Sequence, residues 1–420
     1  MGKTIVEKII ETKTDTKNFK KGDLLEARVD FVVANDMTGP VAINQFRRLG
    51  SKKLFDPSKV LFMPEHYSPA KDIESAESAK CIRNFSKEQG CVHFDVGEMG
   101  IDHVLVPERG MLVPGDFYVN ADSHTCTMGA LGLFAVGMGS TDAAVAMSKG
   151  KVWIKVPEVI KVNFSGRLNK GVCSKDLALQ LLGILGDNGA NYKVLEITGE
   201  CIKELNMEER FSLCNMAVEA GAKSAIIPPD EVTRKYLKDK TDREGIYHKS
   251  DEDAEYLKII KIDASKVKPM VSKPHLPSNV EKVENVKDVK VDQVVLGACS
   301  NGRITDFEQA AEILKGKKIA KNVRMVILPG SPKVYLEAVK KGLIEIFIEA
   351  GATISTPNCG PCMGTQMGVL AKDEICLTTT PRNFKGRMGH KDSYIYLGGP
   401  YVATASALKG KITDPREVLK

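Results

Sequence analysis

The stretch VDQVVLGACSNGR, residues 291–303, predicts a buried β-strand that runs directly into a polar loop. Its first part, VDQVVLG, is mostly apolar and β-branched, which is typical of a strand covered on both faces of a parallel sheet. The loop then presents Cys299, Asn301 and Arg303. Because ligands bind at the carboxyl ends of strands in open α/β sheets, the stretch predicts both a parallel sheet and one edge of a site.

The chain beyond this stretch alternates between helix and strand patterns. Thr305 and Glu308 have the spacing of a capping box at the start of a helix, and Ser331-Pro332 opens a second helix with proline at its first position. The apolar segments NVRMVILPG and GATIST have the composition of further strands. Strands that alternate with helices indicate an α/β fold with a parallel sheet.

A second cysteine motif, TPNCGPCMG at residues 356–364, follows the last of these strands. We expect Cys359 and Cys362 to meet Cys299 at one edge of the sheet, because all three follow strand ends. Three thiolates are fewer than the four that close a structural zinc site or a fully protein-ligated cluster, so one coordination position would stay open. On spacing alone, a thioredoxin-like dithiol and a zinc site remain open as alternatives.

The N-terminal half contains two more strand ends that are followed by acids and histidines. Asp122, Ser123 and His124 follow the apolar segment DFYVNA, and Glu65 and His66 follow KVLFMP. A carboxylate next to a histidine fixes the tautomer and raises the basicity of the imidazole. These residues are therefore candidates for acid–base chemistry.

Three further candidates lie outside these two strand ends. His103 lies in EMGIDHVLVPE, and Asn215 and Glu219 lie four positions apart in SLCNMAVEAGA. The spacing of the last two predicts that their side chains share one face of a helix. His66, His103 and His124 would each, taken alone, more often be structural than catalytic, so their value rests on their acidic partners and on motif order.

Composition limits the classes of function. The chain has 420 residues, 43% of them hydrophobic and 27% charged, with a net charge of +6. This length predicts two or three domains, and the interspersed charges do not resemble a nucleic-acid-binding arm. The N-terminus has no apolar signal core and no run of about 18 apolar residues occurs. We therefore predict a cytoplasmic protein with reduced cysteines and with neither a nucleic-acid nor a membrane partner.

Six motifs follow one another along the chain. They are ADSHTCTMGALGLFAVGMGSTD, GKVWIKVPE, LCNMAVEAGAKS, GACSNGR, STPNCGPCMG and RNFKGRMGH. In this order they resemble the aconitase superfamily, and within it the large subunits of the 3-isopropylmalate dehydratases. The similarity extends from GDLLEARVD to the C-terminus.

The resemblance implies three aconitase-type α/β domains with parallel and mixed sheets, packed around a 4Fe–4S cluster. We place these domains at residues 1–157, 158–285 and 286–420. The second would end in a linker rich in proline and charge, within residues 268–290.

The resemblance also implies the cluster ligands. Cys299, Cys359 and Cys362 would each bind one iron, and the fourth iron would lack a protein ligand. That iron would act as a Lewis acid on the hydroxyl and a carboxylate of the substrate.

Further site residues follow from the same resemblance. The implied carboxylate–imidazole pairs are Glu65 with His66, Asp122 with His103, and Glu219 with His124. Ser123, Arg382, Arg387, Asn215 and Asn301 would bind the substrate or lie beside the cluster, and guanidinium groups suit carboxylates because they can donate two parallel hydrogen bonds.

The serine that acts as base in aconitases lies in a swivelling domain, and the sequence to Lys420 contains no such domain. The resemblance therefore implies a separate small subunit that supplies this serine, and we expect the chain to be inactive alone. The sequence departs from the family pattern at four positions, which are Glu65, Asn120, Ser300 and Pro381.

The implied activity is a hydro-lyase of leucine biosynthesis that isomerises 2-isopropylmalate and 3-isopropylmalate through 2-isopropylmaleate. Homoaconitate hydratase and 2,3-dimethylmalate dehydratase are close alternatives. An RNA-binding regulator is a remote one, because no clustered basic and aromatic surface is visible in the sequence.

Overall fold

The computed structural model describes residues 2–419, which fold into two compact units. Each unit is assembled from three separate segments of the chain. The first unit comprises residues 2–164, 190–207 and 221–262, and the second comprises residues 165–189, 208–220 and 263–419.

The strands form four sheets of two, four, five and seven strands. In chain order they are β1 Leu24–Arg28, β2 Phe31–Asn35, β3 Val60–Met63, β4 Val92–His93, β5 Phe117–Asn120, β6 Phe134–Gly137, β7 Lys151–Lys155, β8 Val159–Ser165, β9 Val194–Thr198, β10 Ser224–Ile226, β11 Lys258–Asp263, β12 Met270–Ser272, β13 Val280–Lys282, β14 Gln293–Leu296, β15 Arg324–Ile327, β16 Thr353–Ile354, β17 Ile375–Thr378 and β18 Tyr394–Gly398.

The α-helices lie between these strands. In chain order they are α1 Ile5–Lys13, α2 Gly39–Arg48, α3 Ile73–Gln89, α4 Asp102–Glu108, α5 Ser140–Lys149, α6 Ser174–Leu185, α7 Glu200–Glu204, α8 Met207–Asn215, α9 Glu231–Leu237, α10 Ala298–Asn301, α11 Ile304–Leu314, α12 Pro332–Lys340, α13 Leu343–Ala350 and α14 Pro400–Lys409.

The first unit is built on a five-stranded parallel sheet in the order β4-β3-β2-β5-β6. Strands β2, β3 and β5 are buried along their whole length, in keeping with their apolar sequences FVVAN, VLFM and FYVN. Because the strands are parallel, the residues that follow β3, β2 and β5 emerge at one edge of the sheet.

The second unit contains a seven-stranded mixed sheet in the order β13-β12-β18-β17-β14-β15-β16. Strands β18, β17, β14, β15 and β16 are parallel, whereas β12 and β13 pair antiparallel at one side. The predicted α/β class with parallel and mixed sheets is confirmed.

Local structure differs from the sequence prediction at the start of α11. Its N-cap is Arg303, and the Asp306 carboxylate accepts a hydrogen bond from the Arg303 backbone N–H at 2.9 Å. The predicted capping box of Thr305 and Glu308 is therefore wrong, and the Thr305 N–H donates instead to Glu208. The cap at Ser331 is confirmed, since its hydroxyl accepts from the Val334 N–H.

The segment predicted as a linker contributes regular structure to the second unit. Strands β12 and β13, which lie within residues 268–290, form a hairpin that pairs with β18. Strand β13, with the sequence VEK, forms the edge of the sheet, where charged side chains are well tolerated. The three-domain boundaries at residues 157 and 285 stay a prediction.

Asn215 and Glu219 do not share a continuous α-helix. Asn215 ends α8, and Glu219 lies in the following 3-10 helix Met216–Ala220. The single helix face predicted for them is therefore wrong.

Among residues 2–419, no helix combines the length and apolar character that a membrane crossing requires.

Candidate functional site

The first unit gathers acids and histidines at the carboxyl edge of its five-stranded sheet. We call this set the acid–histidine group. Its members are Asp36, Glu65, His66, Asp102, His103 and Asp122. They follow strands β2, β3 and β5 or begin helix α4.

Glu65 and His66 lie side by side but have different partners. Glu65 accepts hydrogen bonds from Asn35 Nδ2 at 2.9 Å and from the Asp102 N–H at 2.6 Å. His66 Nδ1 lies 3.5 Å from Glu65 Oε1 and 3.1 Å from Asp36 Oδ1. The expected proximity of Glu65 and His66 is present, and Asp36 is a closer acidic partner of the imidazole.

His103 lies between two aspartates. Its Nδ1 is 2.9 Å from Asp102 Oδ1, and its Nε2 is 2.8 Å from Asp122 Oδ1. Asp102 is held in turn by a hydrogen bond from the amide of Asn120. The structure thus brings together the expected pair of Asp122 and His103 and adds Asp102 on the other side of the ring.

The loop after β5 places Ser123 and His124 beside this pair. Asp122 caps the 3-10 helix Ser123–Leu131 by accepting from the His124 N–H at 2.7 Å. Ser123 is exposed, and its Oγ lies 3.2 Å from His124 Nδ1. One oxygen or nitrogen atom from each of Glu65, His66 and Asp122 lies within 4.8 Å of the other two. The group therefore converges on one small volume.

Burial and neighbouring charges set the protonation of Glu65 and His66. Burial and the charge of Asp102 raise the pKa of Glu65 well above its usual value. Burial opposes a charge on His66, but the carboxylates of Glu65 and Asp36 raise its pKa to about 10. Burial also disfavours a charge on Asp36, yet its hydrogen bond to His66 lowers the pKa of Asp36 below its usual value. Because Asp36 Oδ1 is closer to His66 Nδ1 than Glu65 Oε1 is, at 3.1 Å against 3.5 Å, we assign the ion pair to Asp36 and His66.

The pair of His103 and Asp122 is polarised in the same sense. Burial opposes a charge on His103, but the carboxylates of Asp102 and Asp122 raise its pKa well above the usual value. Burial likewise opposes a charge on Asp122, and the hydrogen bond and charge of His103 lower its pKa below the usual range. A protonated imidazole beside an ionised carboxylate is therefore the stable state of this pair.

The second unit carries the thiols, which we call the thiol group: Cys299, Cys359 and Cys362. Cys299 lies in α10 after β14, and Cys359 and Cys362 lie at the 3-10 helix Gly360–Met363 after β16. Strands β14, β15 and β16 are parallel neighbours in one sheet, so both cysteine motifs follow strand ends at the same edge.

The turn before Cys299 requires a special backbone. Gly297 has φ of +140°, and a Cβ there would lie 2.3 Å from the carbonyl oxygen of Leu328. Ala298 has φ of +64°, in the left-handed region that side chains rarely adopt. Such strain is typical of functional sites, because the surrounding structure must hold it in place.

Hydrogen-bond donors and cations surround the thiol group. Asn215 Nδ2 donates to Cys299 Sγ at 3.3 Å, and Arg387 Nε donates to the carbonyl oxygen of Cys362 at 2.8 Å. Burial opposes a charge on Arg387, but the charges of Cys362 and Cys359 raise its pKa above the usual value. Thiols with amide and guanidinium donors around them fit an anionic metal–sulfur group.

Two other expected residues have protein partners in the second unit. Arg382 Nε donates to Glu219 Oε1 at 2.8 Å, and Asn301 Nδ2 donates to Asp306 Oδ1 at 2.8 Å. Burial raises the pKa of Asp306 to about 7. The expected pairing of Glu219 with His124 joins residues of different units and stays a prediction.

The chain matches known proteins along nearly its whole length. The model of the aconitase family (aconitate hydratase) matches residues 7–288 and 277–410. A 3-isopropylmalate dehydratase large subunit from Moorella thermoacetica is 52% identical over 421 aligned residues, which cover 100% of both chains. The chain belongs to the aconitase family.

Further relatives agree with this assignment. The 3-isopropylmalate dehydratase large subunit of Clostridium kluyveri and large subunit 1 of Pyrococcus furiosus are each 50% identical, with 100% of both chains covered. Aconitase X of Thermococcus kodakaraensis matches in fold with a TM-score of 0.51 at 14% identity, over 90% of this chain and 89% of that chain. Membership of the family implies an iron–sulfur cluster, which the thiol group fits.

Proposed function

We propose that this chain is the large, cluster-bearing subunit of a hydro-lyase that interconverts 2-isopropylmalate and 3-isopropylmalate through 2-isopropylmaleate in leucine biosynthesis. The observation that carries the proposal is the end-to-end identity of 49–52% with relatives named 3-isopropylmalate dehydratase large subunit. The acid–histidine group and the thiol group support it independently, because dehydration needs a proton donor and a group that activates the hydroxyl.

Cys299, Cys359 and Cys362 would hold a 4Fe–4S cluster, with one iron that lacks a protein ligand. When bound, the cluster supplies a Lewis acid for the hydroxyl and one carboxylate of the substrate. Asn215 would keep its hydrogen bond to the Cys299 sulfur, which stabilises negative charge on that atom.

The acid–histidine group would supply the proton. Asp102 and Asp122 hold the His103 ring by its two nitrogens, so the imidazole is both oriented and protonated. We assign to the protonated pair of His103 and Asp122 the role of supplying a proton to the departing hydroxyl. Asp36 stabilises the protonated form of His66, and this imidazolium would orient a carboxylate of the diacid. Ser123 and His124, which lie beside Asp122, would do the same.

Arg382 and Arg387 would bind substrate carboxylates. Glu219 fixes the Arg382 guanidinium through Nε, which leaves the terminal nitrogens of that fork for a carboxylate. Arg387 is fixed by the carbonyl of Cys362 in the same way. The name of the large-subunit relatives supports a separate small subunit. We assign the removal of the proton on carbon to a serine of that subunit. A cytoplasmic location completes the proposal.

The test is co-expression of this chain with a small subunit under anaerobic conditions. The measured signal is the loss of the double bond as isopropylmaleate, dimethylmaleate, homoaconitate and citraconate are hydrated. We expect preference for isopropylmaleate and no activity of either subunit alone. Preference for another acid would retain the reaction class and change the pathway, whereas no hydration by a complex with intact cluster would contradict the hydro-lyase itself.

A further inference from the structure

A fully buried lysine contacts the residue that follows Cys299. Lys175 is in the first turn of α6, and its side chain is 0% exposed. Its Nζ lies 3.3 Å from Ser300 Oγ, 3.1 Å from Met216 Sδ and 3.1 Å from the carbonyl oxygen of Thr379. A buried ammonium group is costly unless a charge or hydrogen bonds compensate for it.

The partners of Lys175 are all uncharged. They are a hydroxyl, a thioether and the carbonyls of Thr379 and Thr380. Within the described part of the chain, residues 2–419, no carboxylate oxygen lies within ion-pair distance of its Nζ. The other fully buried cation of this size, Arg210, is a different case because a guanidinium group is more weakly hydrated.

The position of Lys175 relates it to Cys299. Ser300 directly follows Cys299, and Met216 directly follows Asn215, whose amide donates to the Cys299 sulfur. Burial lowers the pKa of Lys175 to about 8, and the nearby thiol of Cys299 is the foremost group that opposes this decrease. Lys175 therefore contacts the residue that follows Cys299 and the residue that follows the amide donor of the Cys299 sulfur.

Helix α6 fixes the lysine through its neighbours. Asp176 accepts hydrogen bonds from the Cys173 N–H at 2.8 Å and from the Met270 N–H at 2.7 Å. Burial raises the pKa of Asp176 to about 6. Because Asp176 is already occupied by two backbone donors, it secures the first turn of α6 and leaves Lys175 without an acidic partner.

We infer that Lys175 is the positive counter-charge of the iron–sulfur cluster and that it determines how firmly the cluster is held and how easily it is reduced. A cluster core held by three thiolates carries a net negative charge, which would compensate the buried ammonium. The inference rests on the cluster of the proposed function. It assigns Lys175 a supporting role through Cys299 and no contact with substrate.

The experiment compares the wild-type complex with Lys175→Met, which removes the charge, and Lys175→Arg, which retains it. Lys223→Met is the matched control, since Lys223 is a part-buried lysine of the first unit that donates to the Gly137 carbonyl. After anaerobic reconstitution, three quantities are measured: iron and sulfide per chain, the rate of cluster loss in ferricyanide, and the midpoint potential from dithionite titration.

We expect Lys175→Met to lower the midpoint potential and to lose its cluster on the order of tenfold faster, because a nearby positive charge stabilises the more negative cluster. Lys175→Arg should lie between that variant and the wild type, and Lys223→Met should match the wild type. An unchanged potential and an unchanged rate in Lys175→Met would overturn the inference alone. A wild-type complex that takes up no iron and sulfide would overturn the cluster and the inference together.

A double variant keeps the inference testable if Lys175→Met folds poorly. Met216→Lys combined with Lys175→Met returns an ammonium group to the same space, because the two side chains are 3.1 Å apart. Recovery of the potential would support a role for charge. If the double variant folds and holds a cluster with the potential still lowered, the hydrogen bonds of Lys175 to Thr379 matter instead and the inference is wrong.

Discussion

The acid–histidine group and the thiol group balance their charges in opposite ways. In the first unit, the charged histidines His66 and His103 have carboxylates within 3.1 Å. In the second unit, Lys175 is buried beside the thiols with uncharged partners only. The charged histidines of the first group are therefore neutralised by carboxylates of the protein itself. The positive charge of Lys175 would instead be neutralised by the proposed anionic cluster.

This difference predicts which substitutions affect the protein and which affect its cofactor. Changes in the acid–histidine group should alter proton transfer and stability while the iron content stays constant. Changes in the thiol group should alter the iron content first. The following variants test that separation, from the largest expected effect to the smallest.

Cys359→Ser should lower activity by roughly 10³-fold or more, because the proposed cluster would lose one of its three ligands. The measurement is iron and sulfide content together with hydration of isopropylmaleate by the complex. Cys81→Ser is the control, since Cys81 is a part-buried thiol on α3. A Cys359→Ser complex with full activity would remove Cys359 from the ligand set.

Asp122→Asn should lower kcat by about 10²- to 10⁴-fold, because the amide no longer stabilises the His103 imidazolium. Iron content should stay at the wild-type value. Asp72→Asn, at the N-cap of α3, should leave both quantities unchanged because asparagine also caps helices. Loss of iron in Asp122→Asn would contradict the separation of the two groups.

Asp36→Asn should lower the free energy of unfolding by about 3 kcal/mol at neutral pH, because it breaks a buried ion pair. The folded-state pKa of His66 is about 10, above its ordinary 6.5, so the stabilisation is fully present below pH 6.5 and is lost as the pH rises toward 10. The pKa of Asp36 is lowered from 3.8, so the stabilisation also disappears as the pH falls below that value.

The corresponding measurement is the free energy of urea unfolding of the wild type and of Asp36→Asn, from a pH below the ordinary pKa of aspartate up to about pH 10. The difference between wild type and Asp36→Asn should be largest between about pH 4 and pH 6.5 and should shrink on either side. A difference that does not vary with pH would show that Asp36 stabilises the fold by packing rather than by its charge.

Arg382→Lys should raise KM about tenfold, because an ammonium group cannot hold both Glu219 and a substrate carboxylate with the fixed geometry of a guanidinium fork. Arg416→Lys is the control, since Arg416 pairs with Asp414 and its side chain is 45% exposed. If kcat falls at constant KM, Arg382 acts on the transition state and not on binding.

Ser331→Ala should lower the free energy of unfolding by about 1 kcal/mol through loss of the helix cap on Val334. Activity and iron content per folded chain should remain at wild-type values. A change in iron content would mean that the cap of α12 affects the thiol group as well as the stability of the fold.

Strand ends were the feature most readily predicted from sequence. The apolar segments before Cys299, Asp122 and Glu65 are β14, β5 and β3, and their parallel pairing follows from the alternation of strands and helices. The same reasoning applied to FVVAN, which is β2, would have pointed to Asn35 and Asp36.

Other features depend on tertiary contacts that sequence patterns do not encode. Thr305 and Glu308 have the spacing of a capping box, but Arg303 and Asp306 occupy the cap because the helix begins two residues earlier. Lys175 gives no sequence signal, since lysine after a serine in an apolar helix is normally a solvated residue. Its burial follows from the packing of α6 against Ser300 and Thr379.

The interrupted order of the two units constrains how the chain can be made and divided. During synthesis on a ribosome, residues 165–189 and 208–220 emerge before most of the unit to which they belong. The apolar side of α6 can therefore be buried in that unit only after strands that end as late as Gly398 have been made. For the same reason, a fragment that starts at residue 263 would contain all three site cysteines and would still lack Lys175 and Asn215. Minimal cluster-binding versions of this protein must therefore carry both earlier segments.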